Sequence, residues 1–125
     1  EVYKTDTPLK KPALIMAGGE TTVTVVGSGK GGRNQELALS AALKISGYEG
    51  IVIASIGTDG IDGITDAAGG IVDSTTVERG KEKGLDALEF LANNDSYTFL
   101  TKVGDAIFTG PTGSNVNDIM LIAVV

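Results

Sequence analysis

Cysteine and histidine are both missing from the 125 residues. The first absence excludes disulfides and thiolate metal sites. The second excludes a Ser-His nucleophile pair, imidazole zinc sites and the usual near-neutral proton shuttle. Any chemistry must therefore fall to carboxylates, lysine, arginine, hydroxyls, amides and backbone N–H groups. Positive charge is also scarce, with 10 Lys and Arg against 16 Asp and Glu, a net charge of -6. That balance argues against the basic footprint of a nucleic-acid or anionic-membrane binder, so neither partner is expected. No apolar run approaches the ~20 residues that span a bilayer, and no signal-peptide pattern opens the chain. A cytoplasmic protein is the expectation.

What is present fits one globular domain. The chain is 42% apolar, which excludes wholesale disorder, and its length suffices for one core. Residues 1–12, with Pro8 and Pro12, read as a linker or N-terminal arm, and residues 13–125 as the domain. The absence of an initiator Met fits a chain that begins inside a longer polypeptide. The 18 glycines cluster between apolar segments, where tight turns or close backbone approach would use them.

Apolar patterning predicts strands at 13–17, 20–26, 51–56, 106–110 and 119–125, with Gly18-Gly19 turning the first pair into a hairpin. Helices are predicted at 33–46, 74–83, 85–93 and 96–103, Gly47 stopping the first. Leu88 and Leu91 are expected in the core. The result is an α/β layered domain with a mixed β-sheet flanked by helices.

Three loops carry candidate chemistry. In "GSGKGGRNQE" (27–36), Gly27, Gly29 and Gly32 match a dinucleotide fingerprint, but the preceding strand alternates polar and apolar and no ribose-binding acid follows at the right distance. It is not a P-loop, because Arg33 stands where Ser or Thr belongs. An anion cradle at a helix N-terminus, with Lys30 and Arg33 adding charge, fits better; a mobile turn with two solvated cations is the bland alternative. In "GTDGIDGITD" (57–66), Asp62 and Asp66 read as turn or cap residues. Asp59, just past a buried strand, is the functional candidate. In "GPTGSNVND" (110–118), Thr112, Ser114, Asn115 and Asn117 offer neutral hydrogen bonds to a sugar acid, a ribose or a phosphate, or simply cap a turn. In "ANNDSY" (92–97), helix capping by Asn94 or Asp95 explains most of the polarity.

Taken together, "GGETTVTV", "GKGGRNQELAL", "GTDGIDGITDAAGGIVD", "NNDSY" and "GPTGSNVND", in this order over residues 13–125, resemble the MOFRL domain. That is the C-terminal domain of the type II glycerate kinases, some of which carry the name hydroxypyruvate reductase. The resemblance implies ATP-dependent, Mg²⁺-assisted phosphorylation of glycerate to 2-phosphoglycerate, in a cleft shared with an N-terminal domain that this chain lacks. It implies that Arg33 and Asp59 are active-site residues. Gly29, Lys30, Gly31, Gly32, Asn34, Thr58 and Asn115 are the expected substrate or phosphate contacts; metal ligands are left unassigned. Ile64 stands where the family commonly has proline, and Val26 where the strand often ends in arginine. An NAD(P)-dependent hydroxypyruvate reductase domain and a non-catalytic binding module are the alternatives. A chain lacking half its cleft is expected to associate with a partner domain or a second copy.

Overall fold

The computed structural model describes residues 11–19 and 25–125. Five strands form one sheet: β1 (Ala13–Gly19), β2 (Ile51–Gly57), β3 (Gly69–Asp73), β4 (Ala106–Ile107) and β5 (Asp118–Val124). Four helices accompany them: α1 (Arg33–Ile45), α2 (Thr76–Glu82), α3 (Ala87–Ala92) and α4 (Ser96–Val103). The strand order is β1-β5-β2-β3-β4, and every described pairing is antiparallel. The layered α/β class is the expected one.

The helices lie on one face of the sheet. The register places Ile51, Ile53, Ser55 and Gly57 of β2 on that face, beside Val124, Ile122, Met120 and Asp118 of β5. Ala38, Leu39, Ala42 and Ile45 of α1 pack onto it with Val72 of β3, and Phe99, Leu100 and Val103 of α4 complete the core. Phe99 is fully buried and meets the edge of Phe90 at 5.8 Å between centroids. Truncating a core aromatic of this kind costs about 3–5 kcal/mol.

Local signals explain most boundaries. Gly47, at φ 85°, ends α1. Gly104 takes a left-handed conformation after α4, and the following amides return to the carbonyls of Leu100 and Thr101, a glycine C-terminal stop. Asp86 caps α3 through the Leu88 N–H.

Several expectations are corrected. Gly18 and Gly19 make no turn: they continue β1, paired with Ile119 and Asp118. The second half of the expected hairpin, 20–26, lies mostly outside the described residues. β3 was not expected: the pattern over 67–84 is ambiguous and predicts only the helix from Ser74. Its glycines are required by close approach. A Cβ on Gly69 would overlap the Ser55 carbonyl, and one on Gly70 would press on Ala38 and Leu100. Leu88 is 63% exposed, since α3 turns Ala87, Phe90 and Leu91 to the core instead. The expected strand 106–110 shrinks to two residues.

Candidate functional site at one end of the sheet

The C-terminal ends of β1, β2 and β4, the N-terminal ends of β3 and β5, and the start of α1 all lie at one end of the sheet. The three candidate loops therefore converge. Thr58 donates its hydroxyl to the Asn117 carbonyl and accepts the Val116 N–H. Thr112 donates its hydroxyl to the Thr58 carbonyl and its N–H to the Asp59 carbonyl. Gly60, at φ 86°, lies where a Cβ would overlap the Gly110 carbonyl, so this contact requires glycine on two counts.

The start of α1 is fixed by a carboxylate from another loop. Asp62, fully buried, accepts the backbone and side-chain N–H groups of both Asn34 and Gln35 at 2.8–3.2 Å. It serves as a cap supplied in trans, satisfying helix-start amides and complementing the helix dipole. Gly32 precedes the helix in extended conformation because a side chain there would strike Asp62.

Arg33 stands at the first position of the helix and makes a two-pronged ion pair with Asp118. Its Nε donates to Oδ2 at 2.7 Å and its Nη2 to Oδ1 at 2.8 Å. Asp118 is fully buried at the start of β5, and its lateral neighbours on β1 and β2 are Gly19 and Gly57. Hydrogen bonding and the charge of Asp118 raise the Arg33 pKa despite burial, and Asp62 and Asp59 act in the same direction. Among the described residues this pair uses two of the five guanidinium N–H groups, which leaves three for a ligand.

Asp59 comes to the same end. Its Oδ1 accepts the Ile61 N–H. A point one bond from Gly57 Cα lies 3.4 Å from that oxygen and 3.3 Å from Asn34 Nδ2. Arg33 and Asp59 therefore share one end of the molecule, on adjacent loops.

Other candidates fare differently. Asn34 is fully buried; its side-chain amide is divided between Asp62 and the Ser55 hydroxyl, so it holds the fold. The amide of Gly29 goes to the Asn93 carbonyl and that of Lys30 to the Asp95 carboxylate, so neither belongs to an anion cradle. The Lys30 ammonium lies 4.6 Å from the Tyr97 ring centroid, a cation–π contact. Tyr97 in turn donates to Asp66, which raises the tyrosine pKa. Gly31 and Gly32 line a cavity of about 260 Å³ with Arg33, Glu36 and Asn94. Thr58 is engaged with the 110–118 loop, and Asn115 accepts the Asn117 N–H.

The segment 93–95 does something the sequence did not disclose. Asn94 Oδ1 accepts the N–H groups of Val26 and Gly27, Asn93 Oδ1 that of Ser28, and Asn94 Nδ2 donates to Glu36. Asp95 does sit before α4, but its carboxylate takes the Lys30 N–H and the Thr98 hydroxyl rather than capping the helix amides. The glycines at 27, 29 and 31 allow this: a Cβ at each would overlap Asn93, Asp95 or Ser96. None of the three has a positive φ. Burial raises the Glu36 pKa, while the Asn94 hydrogen bond lowers it in part. Asp118 was also missed as a site residue; an acid opening an otherwise apolar strand was the available signal.

Among the described residues no group of three or more carboxylates gathers to hold a metal ion. Asp62 is committed to four N–H donors and Asp118 to Arg33, which leaves Asp59 as the single carboxylate beside the guanidinium. The described residues thus do not form a Mg²⁺ site by themselves. No described helix is long and apolar enough to cross a membrane.

The MOFRL family model matches residues 13–118. The chain is 57% identical to the D-glycerate 2-kinase of Thermotoga maritima over 125 residues, covering all of this chain and 30% of that protein. It is 52% identical to the glycerate 2-kinase of Pyrococcus horikoshii, covering 99% of this chain and 28% of that one. The crystal structure of the Thermotoga maritima glycerate kinase superposes with a TM-score of 0.98, over 100% of this chain and 30% of that chain. The chain thus spans about 30% of the length of the curated relatives it matches. With the family model covering most of its residues, the chain belongs to the MOFRL family.

Proposed function

We propose that this chain is the C-terminal domain of a glycerate 2-kinase and supplies one wall of an interdomain active site for ATP-dependent phosphorylation of glycerate. The observation that carries the reading is the state of Arg33. A buried carboxylate fixes its plane while three N–H groups remain for an anion beside the start of a helix. A guanidinium preorganised in this way stabilises negative charge without reorganising at the moment of reaction. A cavity of about 260 Å³ opens beside it.

Phosphoryl transfer depends on positioning and charge stabilisation more than on covalent chemistry from the protein, so a chain without His or Cys is suited to it. In this reading Arg33 holds the transferred phosphoryl group or the substrate carboxylate. Asp59 orients the attacking hydroxyl and takes its proton. No step is routed through a metal, because the described residues do not gather as a metal site; a divalent ion arriving with ATP would supply neutralising charge.

The surroundings support a second wall. Val25, Val26, Ile61, Ile64, Phe108 and Val116, on these loops or next to them in the chain, are exposed. Exposed apolar side chains in such number beside a polar centre mark a surface meant to be covered. The test is to assay the homologue-length protein for ATP-dependent phosphorylation of glycerate, and then Asp59→Asn. A fall in kcat of about 10²–10⁴ with little change in KM is expected for loss of a general base. Undiminished turnover would remove Asp59 from the reaction, and absence of any phosphorylation of glycerate would remove the proposal.

A further inference from the structure

The side of the sheet opposite the helices is bare among the described residues. Alternation along the strands places Leu14, Met16, Val52, Ile56, Ile71 and Leu121 there. Every other position of that face on the four long strands is Ala, Ile or Gly except Asp73, at the far end of β3. Leu14 is 63% and Met16 67% exposed, and Ile71 is exposed as well. An antiparallel sheet that keeps one face in water normally reads apolar-in, polar-out. These strands are apolar on both faces, so their sequence is that of a sheet covered on both sides.

We infer that this face is the docking surface for the polypeptide that runs into β1 in the longer family members, packed as a further layer of amphipathic helices. Three observations select that occupant. Relatives of the same fold carry more than twice this chain's length in additional residues. β1 is the first described strand and an edge of the sheet, so chain arriving from the N-terminal side enters beside this face. Leu14 and Met16, on the open face of this edge strand, are among the most exposed large apolar residues. The inference stands on fold and chain length, whatever reaction the longer protein catalyses.

The test compares Met16→Lys with Leu88→Lys, an equally exposed apolar position on α3, in the 125-residue chain and in the homologue-length protein. In the long protein Met16→Lys is expected to lower Tm by more than about 5 °C and Leu88→Lys by less than about 2 °C, the scale on which losing a buried apolar contact moves a domain's midpoint. In the short chain both substitutions are expected to be near neutral. Oxidation footprinting of the wild-type long protein gives a second readout that does not need the short chain to fold: Met16 is expected to be protected. A neutral Met16→Lys in the long protein, or Met16 oxidised there at the rate of a free methionine, overturns the inference. So does a short chain that is a dimer and that Met16→Lys converts to monomer, which would give the face to a second copy.

Discussion

Each end of the sheet carries an arginine paired with an aspartate, and the two pairs are built for different purposes. At one end Arg79 donates from Nε to Thr75, from Nη1 to the Val103 carbonyl, and from Nη2 to Thr76 and Asp105. Four of its five N–H groups are used, and they tie α2 to the C-terminus of α4, where a cation complements the helix dipole. At the other end Arg33 spends two donors on Asp118 and keeps three. The larger cavity, about 540 Å³, lies at the Arg79 end and is lined by Glu49, Glu78 and Glu82. Volume alone would select that end. Donor accounting selects the other, because an arginine with four of its five donors spent, among acids, has little to offer an anion.

The sharpest way to break this comparison is to exchange each arginine in the homologue-length enzyme. Arg33→Lys keeps a positive charge against buried Asp118 but loses the planar fork; kcat is expected to fall by about two to three orders of magnitude with a small change in Tm. Arg33→Ala is less informative, since it strands a buried carboxylate and unsettles the fold as well. Asp62→Ala comes next and acts on stability: four donors lose their acceptor in a buried place. At least about 3 kcal/mol of destabilisation is expected in chemical denaturation. Arg79→Ala should cost about 1–3 kcal/mol and leave kcat unchanged; a loss of turnover there would erase the distinction between the two ends.

The smallest effect sharpens the site end. Burial holds the Glu36 pKa above its ordinary value, so the folded state binds a proton that the unfolded chain has released. Between the two pKa values stability falls as pH rises, and above both the ionised group opposes folding by a constant amount. Glu36→Gln keeps an acceptor for Asn94 and removes the titration. The variant is expected to be slightly more stable at pH 7 and to show a flatter stability profile from pH 4 to 7. An unchanged profile would show that Glu36 does not contribute.

The legible part of the fold came from apolar periodicity and glycine stops: α1, α4, β2 and β5 lie within a residue or two of where the pattern puts them. The illegible part came from glycine's two uses. Gly18-Gly19 and Gly69-Gly70 look like turns, yet both pairs lie within strands; at Gly69 another backbone passes too close for a Cβ. The same double use recurs at 27–31, where close approach of the Asn93–Ser96 segment, which the sequence did not show, calls for glycine at 27, 29 and 31. That Arg33 and Asp59 would lie at one end of the sheet was legible, because both stand at element ends beside glycine loops. Asp118 and Asn94 were not legible. Their importance lies in partners 85 and 68 positions away in sequence, and no local pattern encodes such a distance.

The central claim is that Arg33, held by Asp118, presents its remaining donors to an anion of the substrate or product. The most direct measurement is a crystal structure of the homologue-length protein with bound 2-phosphoglycerate. The expected result is a phosphate or carboxylate oxygen at about 2.7–2.9 Å from a terminal nitrogen of Arg33, with the Asp118 pair intact. A product bound out of reach of Arg33, or seated in the acidic cavity beside Arg79, would contradict the account.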